Sequence, residues 1–268
     1  MRRAVLAFIF VLFPLTALAG TEPSVADLGA QMTEKYRHEQ PRFWGESLPG
    51  IVTRLETGAE TPPTEDADKK PRMVALTLDA CEGGTDTRII ALLRKHAVPA
   101  AIFITNRWLR GNAGVARELA ADPLFTLACH GKRHKPASIN GRAAYGIRGT
   151  ASITALVDEV ETNARAVAAI TGERPQWYRS GTAFYDDVAL KIIHDLGLGV
   201  AGYTVSADAG ATLGAKEVAR RMRAAKDGSI ILCHLNHPES GTAEGLARAI
   251  PAMLENGVIF TPLERKTP

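Results

Sequence analysis

From Met73 onward, short apolar runs alternate with longer stretches in which apolar residues recur every three or four positions. Runs such as Ala75-Leu76-Thr77-Leu78 and Ile230-Ile231-Leu232-Cys233 are nearly uninterrupted, the pattern of strands covered on both faces. The pattern predicts strands over 73–79, 100–105, 125–129, 176–179, 199–205, 229–234 and 258–261. Between them, helical periodicity predicts helices over 87–96, 115–121, 152–171, 186–196, 215–226 and 243–255. Asp86 is placed to cap the first of these, and Gly172 to stop the 152–171 helix. Seven β units alternating with helices imply a parallel sheet, as an open doubly wound layer or a closed barrel. No glycine-rich loop follows the first strand, so the phosphate cradle of a dinucleotide-binding fold is missing.

Ahead of this region the pattern changes twice. Met1-Arg2-Arg3, an apolar run to Leu18 and the small-residue site Ala17-Leu18-Ala19 read as a signal peptide over 1–19. That reading makes the protein periplasmic or secreted. The apolar run contains Pro14 and falls short of the ~20 residues of a membrane-spanning helix, and no other stretch reaches that length. Residues 20–71 read as an N-terminal arm and linker, with one short helix over 25–36 and a Pro-, Glu-, Asp- and Lys-rich stretch at 61–71. Residues 72–268 form the predicted catalytic domain.

The chain has 268 residues, 46% of them hydrophobic, enough for one sizeable core. Losing Arg2 and Arg3 with the leader takes two charges from a formal net charge of +3. Nothing in that balance argues for nucleic acid or an anionic membrane. The three cysteines, Cys81, Cys129 and Cys233, match neither a zinc-knuckle spacing nor a redox pair. Strand alternation turns Cys129 and Cys233 away from the face of the histidines that follow them. Small buried packing residues are the simplest role for all three, with a Cys81–His nucleophilic pair as the other.

The polar residues are placed in register with the strands. Asp79 ends the first, His130 follows the third, Arg179 ends the fourth and His234 ends the sixth. In parallel α/β folds the carboxyl ends of the strands gather at one face, where sites are built. One such residue is an ordinary cap or buried polar group; four together point to chemistry. His130-Gly131-Lys132-Arg133-His134 adds two imidazoles four residues apart just beyond a buried strand. Two imidazoles and a carboxylate are a common ligand set for catalytic zinc, with a position left open for water. His96 and His194, at predicted helix ends, complement the helix dipole instead. Trp44, Trp108 and Trp177 offer rings for stacking on a sugar, although core packing suits Trp177 better.

These residues also carry a family resemblance. Thr77-Leu78-Asp79 resembles the first motif of the family 4 carbohydrate esterases, the polysaccharide deacetylases, whose pattern is Thr-Phe-Asp-Asp. His130 and His134 resemble the family's histidine pair, Arg179 the arginine of its third motif, and Leu232-Cys233-His234 its final Leu-x-His. The resemblance runs from about Met73 to the C-terminus. It implies an α/β fold, a distorted (β/α)7-type barrel with an N-terminal extension. It also implies a hydrolase that removes an N-acyl group, N-acetyl by preference, from an amino sugar of a cell-wall or extracellular polysaccharide. A divalent metal, zinc, would sit on His130 and His134. Asp79 would act as the base, held ionised by Arg179, and His234 would protonate the departing amine. Asp208, His237 and Leu232 would contact substrate.

Three departures qualify this expectation. The second aspartate of the first motif, a metal ligand in the family, is Ala80 here. The Arg-x-Pro-Tyr segment is Arg179-Ser180-Gly181-Thr182, and Ser206-Ala207-Asp208-Ala209-Gly210 lacks the family's tryptophan. Asp79, Glu82, Asp86 and Asp208 are the carboxylates left to complete a metal shell. Two other readings therefore stand beside the first: a metal-independent amide or imide hydrolase, and an inactive glycan-binding relic.

Overall fold

The computed structural model describes residues 22–56 and 71–265. The expected leader, and all but the last residue of the expected linker, lie outside the described residues. The sheet is built on β3 (Met73–Ala80), β4 (Ala100–Ile104), β5 (Phe125–Cys129) and β10 (Ile230–His234). Shorter strands extend it: β2 (Ile51–Val52), β6 (Trp177–Tyr178), β8 (Gly199–Ala201) and β9 (Val205–Ser206). The order is β2-β8-β6-β5-β4-β3-β10-β9, every pairing is parallel, and β11 (Ile259–Phe260) joins the start of β3. The sheet curls into a half-barrel, in agreement with the expected (β/α)7-type architecture.

Alternation along the strands divides the core in two. Ala75, Ala101, Phe103, Ala128, Trp177, Ala201 and Ile230 form a small cluster on the concave side. Leu76, Leu78, Ala80, Ile102, Ile104, Leu127, Cys129, Ile231 and Cys233 pack in the larger cluster with the helices. Each fully buried aliphatic side chain of that layer stabilises the fold by ~1.5–3 kcal/mol relative to exposure. The inward phase runs to the last residues of the strands and just beyond them, to Asp79 and then Cys81 after Thr77, to His130 after Ala128, to Arg179 after Trp177 and to His234 after Leu232.

Local chemistry sets the helix boundaries. Asp86 caps α2 (Thr87–Lys95) by accepting the Arg88 N–H, and α4 (Ile153–Thr171) ends on Gly172 at φ +79°, where only glycine is unstrained. The weak helix expected at 115–121 is in fact α3 (Asn106–Ala120), bent at Asn112. Gly111, Asn112 and Gly114 interrupt its apolar period, while the Thr105 hydroxyl caps its start by accepting the Trp108 N–H. The strand expected over 199–205 is split into β8 and β9. The carbonyls of Ala201 and Gly202, at the break, accept hydrogen bonds from the Arg179 side chain. The remaining helices are α5 (Asp187–Asp195), α6 (Ala215–Arg223) and α7 (Thr242–Glu255).

The described part of the arm lies against this body. Its helix α1 (Val25–Tyr36) carries a Ser24/Asp27 capping box and packs on α4. Its strand β1 (Trp44–Gly45) pairs antiparallel with β7 (Tyr185–Asp186), and β2 adds to β8. Two-residue strands carry too little alternation to be read from sequence, which is why β1, β2 and β7 were not expected.

Candidate active site

The carboxyl ends of β3, β5, β6 and β10 surround one cavity of about 700 Å³. Asp79, Cys81, His134, Leu232, His234 and His237 line it from the barrel side.

Asp79 and Arg179 form its buried floor. The Arg179 Nη1 donates to Asp79 Oδ1 at 2.7 Å and to the Thr77 hydroxyl at 3.0 Å. Its Nε and Nη2 donate to the Ala201 and Gly202 carbonyls, and its guanidinium stacks 4.2 Å from the Phe103 ring centroid. Burial alone would raise the Asp79 carboxyl, but the charge of Arg179, then those of His130 and His234, hold it below its ordinary value. Asp79 is therefore an anion with one oxygen, Oδ2, turned 3.4 Å from His130 Nε2.

The histidine loop is shaped by two polar side chains of α4. Asn163 Oδ1 accepts the backbone N–H of both His130 and Gly131 at 2.9 Å. Glu159 Oε1 accepts those of Arg133 at 2.8 Å and Lys135 at 3.1 Å. Between these last two lies His134, at φ +61° in the left-handed region that a non-glycine residue occupies only under constraint. His130 Nδ1 donates to the Arg179 carbonyl at 2.9 Å, which leaves Nε2 facing Asp79 and the Cys81 sulfur at 3.5 Å. The two imidazoles meet edge to face, with centroids 4.9 Å apart.

Gly181 accounts for one departure from the family motif. A Cβ there would fall 2.6 Å from the His134 Cα and closer still to its carbonyl. Gly181→Ala is expected to dislodge His134 and lower divalent-metal affinity by about 10- to 100-fold with a modest change in melting temperature. Zinc titration of the variant measures this, and an unchanged affinity would show that the close approach does not position His134.

Cys81, His130 and His134 place their sulfur and nitrogen donors within 4.8 Å of one another. One thiolate and two imidazoles suit a divalent ion, with a coordination position left open, so the residues present fit a metal. Burial pushes the Cys81 thiol up, but the charge of His130 and hydrogen bonds from His130, His134 and His234 bring it well below its usual value. Ala80, which stands where the family has its aspartate, is buried in the helix-facing layer. The other carboxylates considered for the shell are committed elsewhere. Asp86 caps α2 and pairs with Arg88, Glu82 pairs with Arg107, and Asp208 lies under His234.

Asp208 was expected to touch substrate. It is instead fully buried, accepting the His234 Nδ1–H at 2.9 Å, the His234 backbone N–H at 2.6 Å and the Thr242 hydroxyl at 3.0 Å. Burial would lower the His234 imidazole, but the hydrogen bond and charge of Asp208 raise it well above its usual value. Leu232 and His237 do reach the cavity, His237 with its Nδ1 on Glu239. Trp108 and Trp177 are buried core residues, and Trp44 packs against Phe184. His194 bonds the Leu198 and Gly50 carbonyls. Cys129 and Cys233 are buried in the helix-facing layer, as alternation required.

Cys81, considered from sequence as a nucleophile but not assigned as a metal donor, and the two polar residues of α4, not considered at all, left faint signals. Cys81 shares the inward parity of Asp79, whereas Ala80 does not. Glu159 and Asn163 interrupt the apolar face of Leu156, Val160 and Val167, a sign of polar groups at work inside a core.

The family model for polysaccharide deacetylase matches residues 66–201. A comparison with curated proteins finds no match. Among solved structures, a family 4 carbohydrate esterase pseudoenzyme from Bacillus anthracis is 26% identical, with a TM-score of 0.60 over 71% of this chain and 63% of that one. The chain thus spans less than two thirds of that protein's length. PdaA, a family 4 carbohydrate esterase of Bacillus subtilis, is 20% identical, with a TM-score of 0.61 over 86% of this chain and 85% of that one. A family 4 carbohydrate esterase from Streptomyces lividans, in complex with acetate, is 17% identical, with a TM-score of 0.61 over 72% and 93% of the two chains. Both of these show the fold. The family's members are hydrolases acting on carbon–nitrogen bonds other than peptide bonds. With its ordered strand-end groups and its altered first motif, the chain belongs to the polysaccharide deacetylase family as a divergent member.

Proposed function

We propose that the chain is a metal-dependent deacylase, acting outside the cytoplasm on an N-acyl amino sugar of a polysaccharide. The convergence of the Asp79–Arg179 pair, the Cys81/His130/His134 donor set and the Asp208–His234 pair on one cavity supports this reading. Cys81, His130 and His134 hold the ion, zinc by the softness of the donors. A divalent ion held by these three residues would supply Lewis-acid chemistry, polarising the acyl carbonyl and acidifying water. Asp79 Oδ2 takes the proton of the attacking water, and Arg179 keeps that carboxylate ionised and aimed. His234 presents its Nε2 to the cavity, because Nδ1 is tied to Asp208, and gives its proton to the departing amine. Residues 1–19 direct export, and residues 20–71 form an arm ahead of the catalytic domain.

The test is acetate release from N-acetylated amino-sugar oligomers and cell-wall glycan by the mature protein. Activity that stops with a chelator and returns with zinc is expected. Saturable glycan binding without hydrolysis of any N-acyl sugar would overturn the reading and leave the inactive relic; the Bacillus anthracis relative is described as a pseudoenzyme.

One observation favours a second reading. Cys81, His234 and Asp208 form the series thiol, imidazole, buried carboxylate found in cysteine hydrolases, with hydrogen bonding from His234 among the influences on the Cys81 thiol. A metal-free hydrolase would keep its activity under chelation and carry the acyl group on Cys81, detectable by mass spectrometry.

The acid role has its own signature. His234 is raised, so it stays protonated as the pH climbs past the ordinary histidine value of ~6.5, and activity falls only above its own value. Asp208→Asn removes the larger of the two influences that raise it, the other being Cys81, and the alkaline limb of kcat is expected to move to lower pH. A limb that stays in place would remove His234 from the acid role.

A further inference from the structure

The arm contributes one residue to the lining of the cavity. Glu46, one residue beyond β1, lines the cavity together with Tyr145 and Tyr203. Its Oε1 accepts both tyrosine hydroxyls, at 3.1 and 3.2 Å. The segment is held in place by the β1–β7 pairing and by Asp187 Oδ1, which accepts the backbone N–H of Arg42 at 2.8 Å and Phe43 at 3.0 Å. Glu46 is therefore a fixed part of the cavity.

Its charge sets it apart. Asp79 is matched by Arg179, and Asp208 by His234. Among the described residues no basic side chain forms an ion pair with Glu46. Arg142 stacks on the Trp44 ring at 5.3 Å. Both tyrosine hydroxyls fall on one carboxylate oxygen, so Oε2 accepts no hydrogen bond from the described residues. Neutral sugar hydroxyls are bound well by amides and hydroxyls; a partly buried, unmatched carboxylate favours a cation. On the proposed function, such a cation is present in the substrate itself. Each deacylation turns a neutral amide into an amine that is protonated at neutral pH. The cavity volume of about 700 Å³ lies in the range of pockets that enclose a drug-sized ligand, ample for more than a single acyl group.

We propose that Glu46, oriented by Tyr145 and Tyr203, is a specificity-determining subsite for the ammonium of an already deacylated sugar next to the one being hydrolysed. The inference rests on the deacylase reading for its substrate class. It makes the enzyme prefer partly deacylated chains, so that one turnover prepares the next.

Calorimetric binding of the mature protein to a glucosamine trimer and to its fully N-acetylated counterpart, under mildly acidic conditions, tests this without relying on turnover. The wild type is expected to bind the cationic trimer at least about tenfold more tightly. Glu46→Gln keeps an acceptor for the tyrosine hydroxyls and is expected to bring the ratio of the two affinities close to one. Equal affinities in the wild type, a preference that survives in Glu46→Gln, or no binding of the cationic trimer would each overturn the proposal. Absence of acetate release from any N-acetylated oligomer, with the cationic preference intact, would instead count against the deacylase reading and leave the subsite standing.

Discussion

Cys81→Ala is expected to leave the fold intact and to lower divalent-metal affinity by roughly 100-fold or more, a loss at least as large as that from removing groups that merely support a ligand. The residue is half-buried at the end of the inward row of β3, and alanine removes only a sulfur facing the cavity. Without it, His130 and His134 are left as a two-nitrogen pair, and Asp79 Oδ2, which faces His130, could replace the sulfur only by giving up its place as the base. Metal content after dialysis measures the loss. Cobalt loading adds a readout independent of turnover, since a thiolate ligand gives an intense charge-transfer band that Cys81→Ala would lack. Cys81→Asp should keep the ion and lose the band, because it restores a carboxylate of the family's type one position later. Full metal occupancy and an unchanged spectrum in Cys81→Ala would remove Cys81 from the shell and favour its role as nucleophile.

The second large effect concerns Arg179. Arg179→Met is expected to destabilise the protein by about 3–5 kcal/mol, because Asp79 would remain as a buried, unmatched charge. The Ala201 and Gly202 carbonyls would lose their donors in the same step. Asp79→Asn keeps the volume and is expected to lower kcat by about 10²- to 10⁴-fold through loss of the base. The double variant Asp79→Asn/Arg179→Met should recover part of the stability lost in Arg179→Met while staying inactive. Denaturant unfolding of the three variants gives the coupling energy, and a cost below ~1 kcal/mol for Arg179→Met would show that the pair does not anchor the site. The pH dependence has a definite sign. Asp79 is depressed in the folded state, so its contribution is complete above the unfolded value of ~3.9 and is lost as the pH falls through the folded value.

How much of this was readable in advance depended on periodicity. Asp79, His130, Arg179 and His234 could be grouped because each sits at a fixed phase on a strand long enough, or hydrophobic enough, to be recognised. The same rule applied one step further separates Ala80 from Cys81. Reasoning from the motif alone treated the change at Ala80 as a lost ligand, whereas the residue beside it returns a donor to the cavity. Asp208 was misplaced for the opposite reason. Its spacing is compatible with lining the cavity or lying beneath it, and only the long-range hydrogen bonds to His234 and Thr242 decide between them. The place of Glu46 in the cavity was hidden altogether. Tyr145 and Tyr203 are distant in sequence, and the two-residue strand that fixes the arm has no period to detect.

The arm is made first, and its partners come late. Trp44 pairs with Asp186, and Ile51 with Val200, so each contact must close a loop of more than half the chain. Loop closure over such distances is slow, while β3, β4 and β5 follow one another closely and can pair early. During refolding, the amide protons of Arg42 and Phe43, held by Asp187, and of Gly202, held by the Val52 carbonyl, are expected to gain protection after those of Ala101 and Leu127, which pulsed hydrogen exchange would detect. A refolding chain therefore brings Asp79, Cys81 and the histidine loop together before Glu46 docks at the cavity they line. Completion of this cavity is in effect a proofreading step on the polypeptide, satisfied only once β7 and β8 have been made and the first-made segment has somewhere to dock.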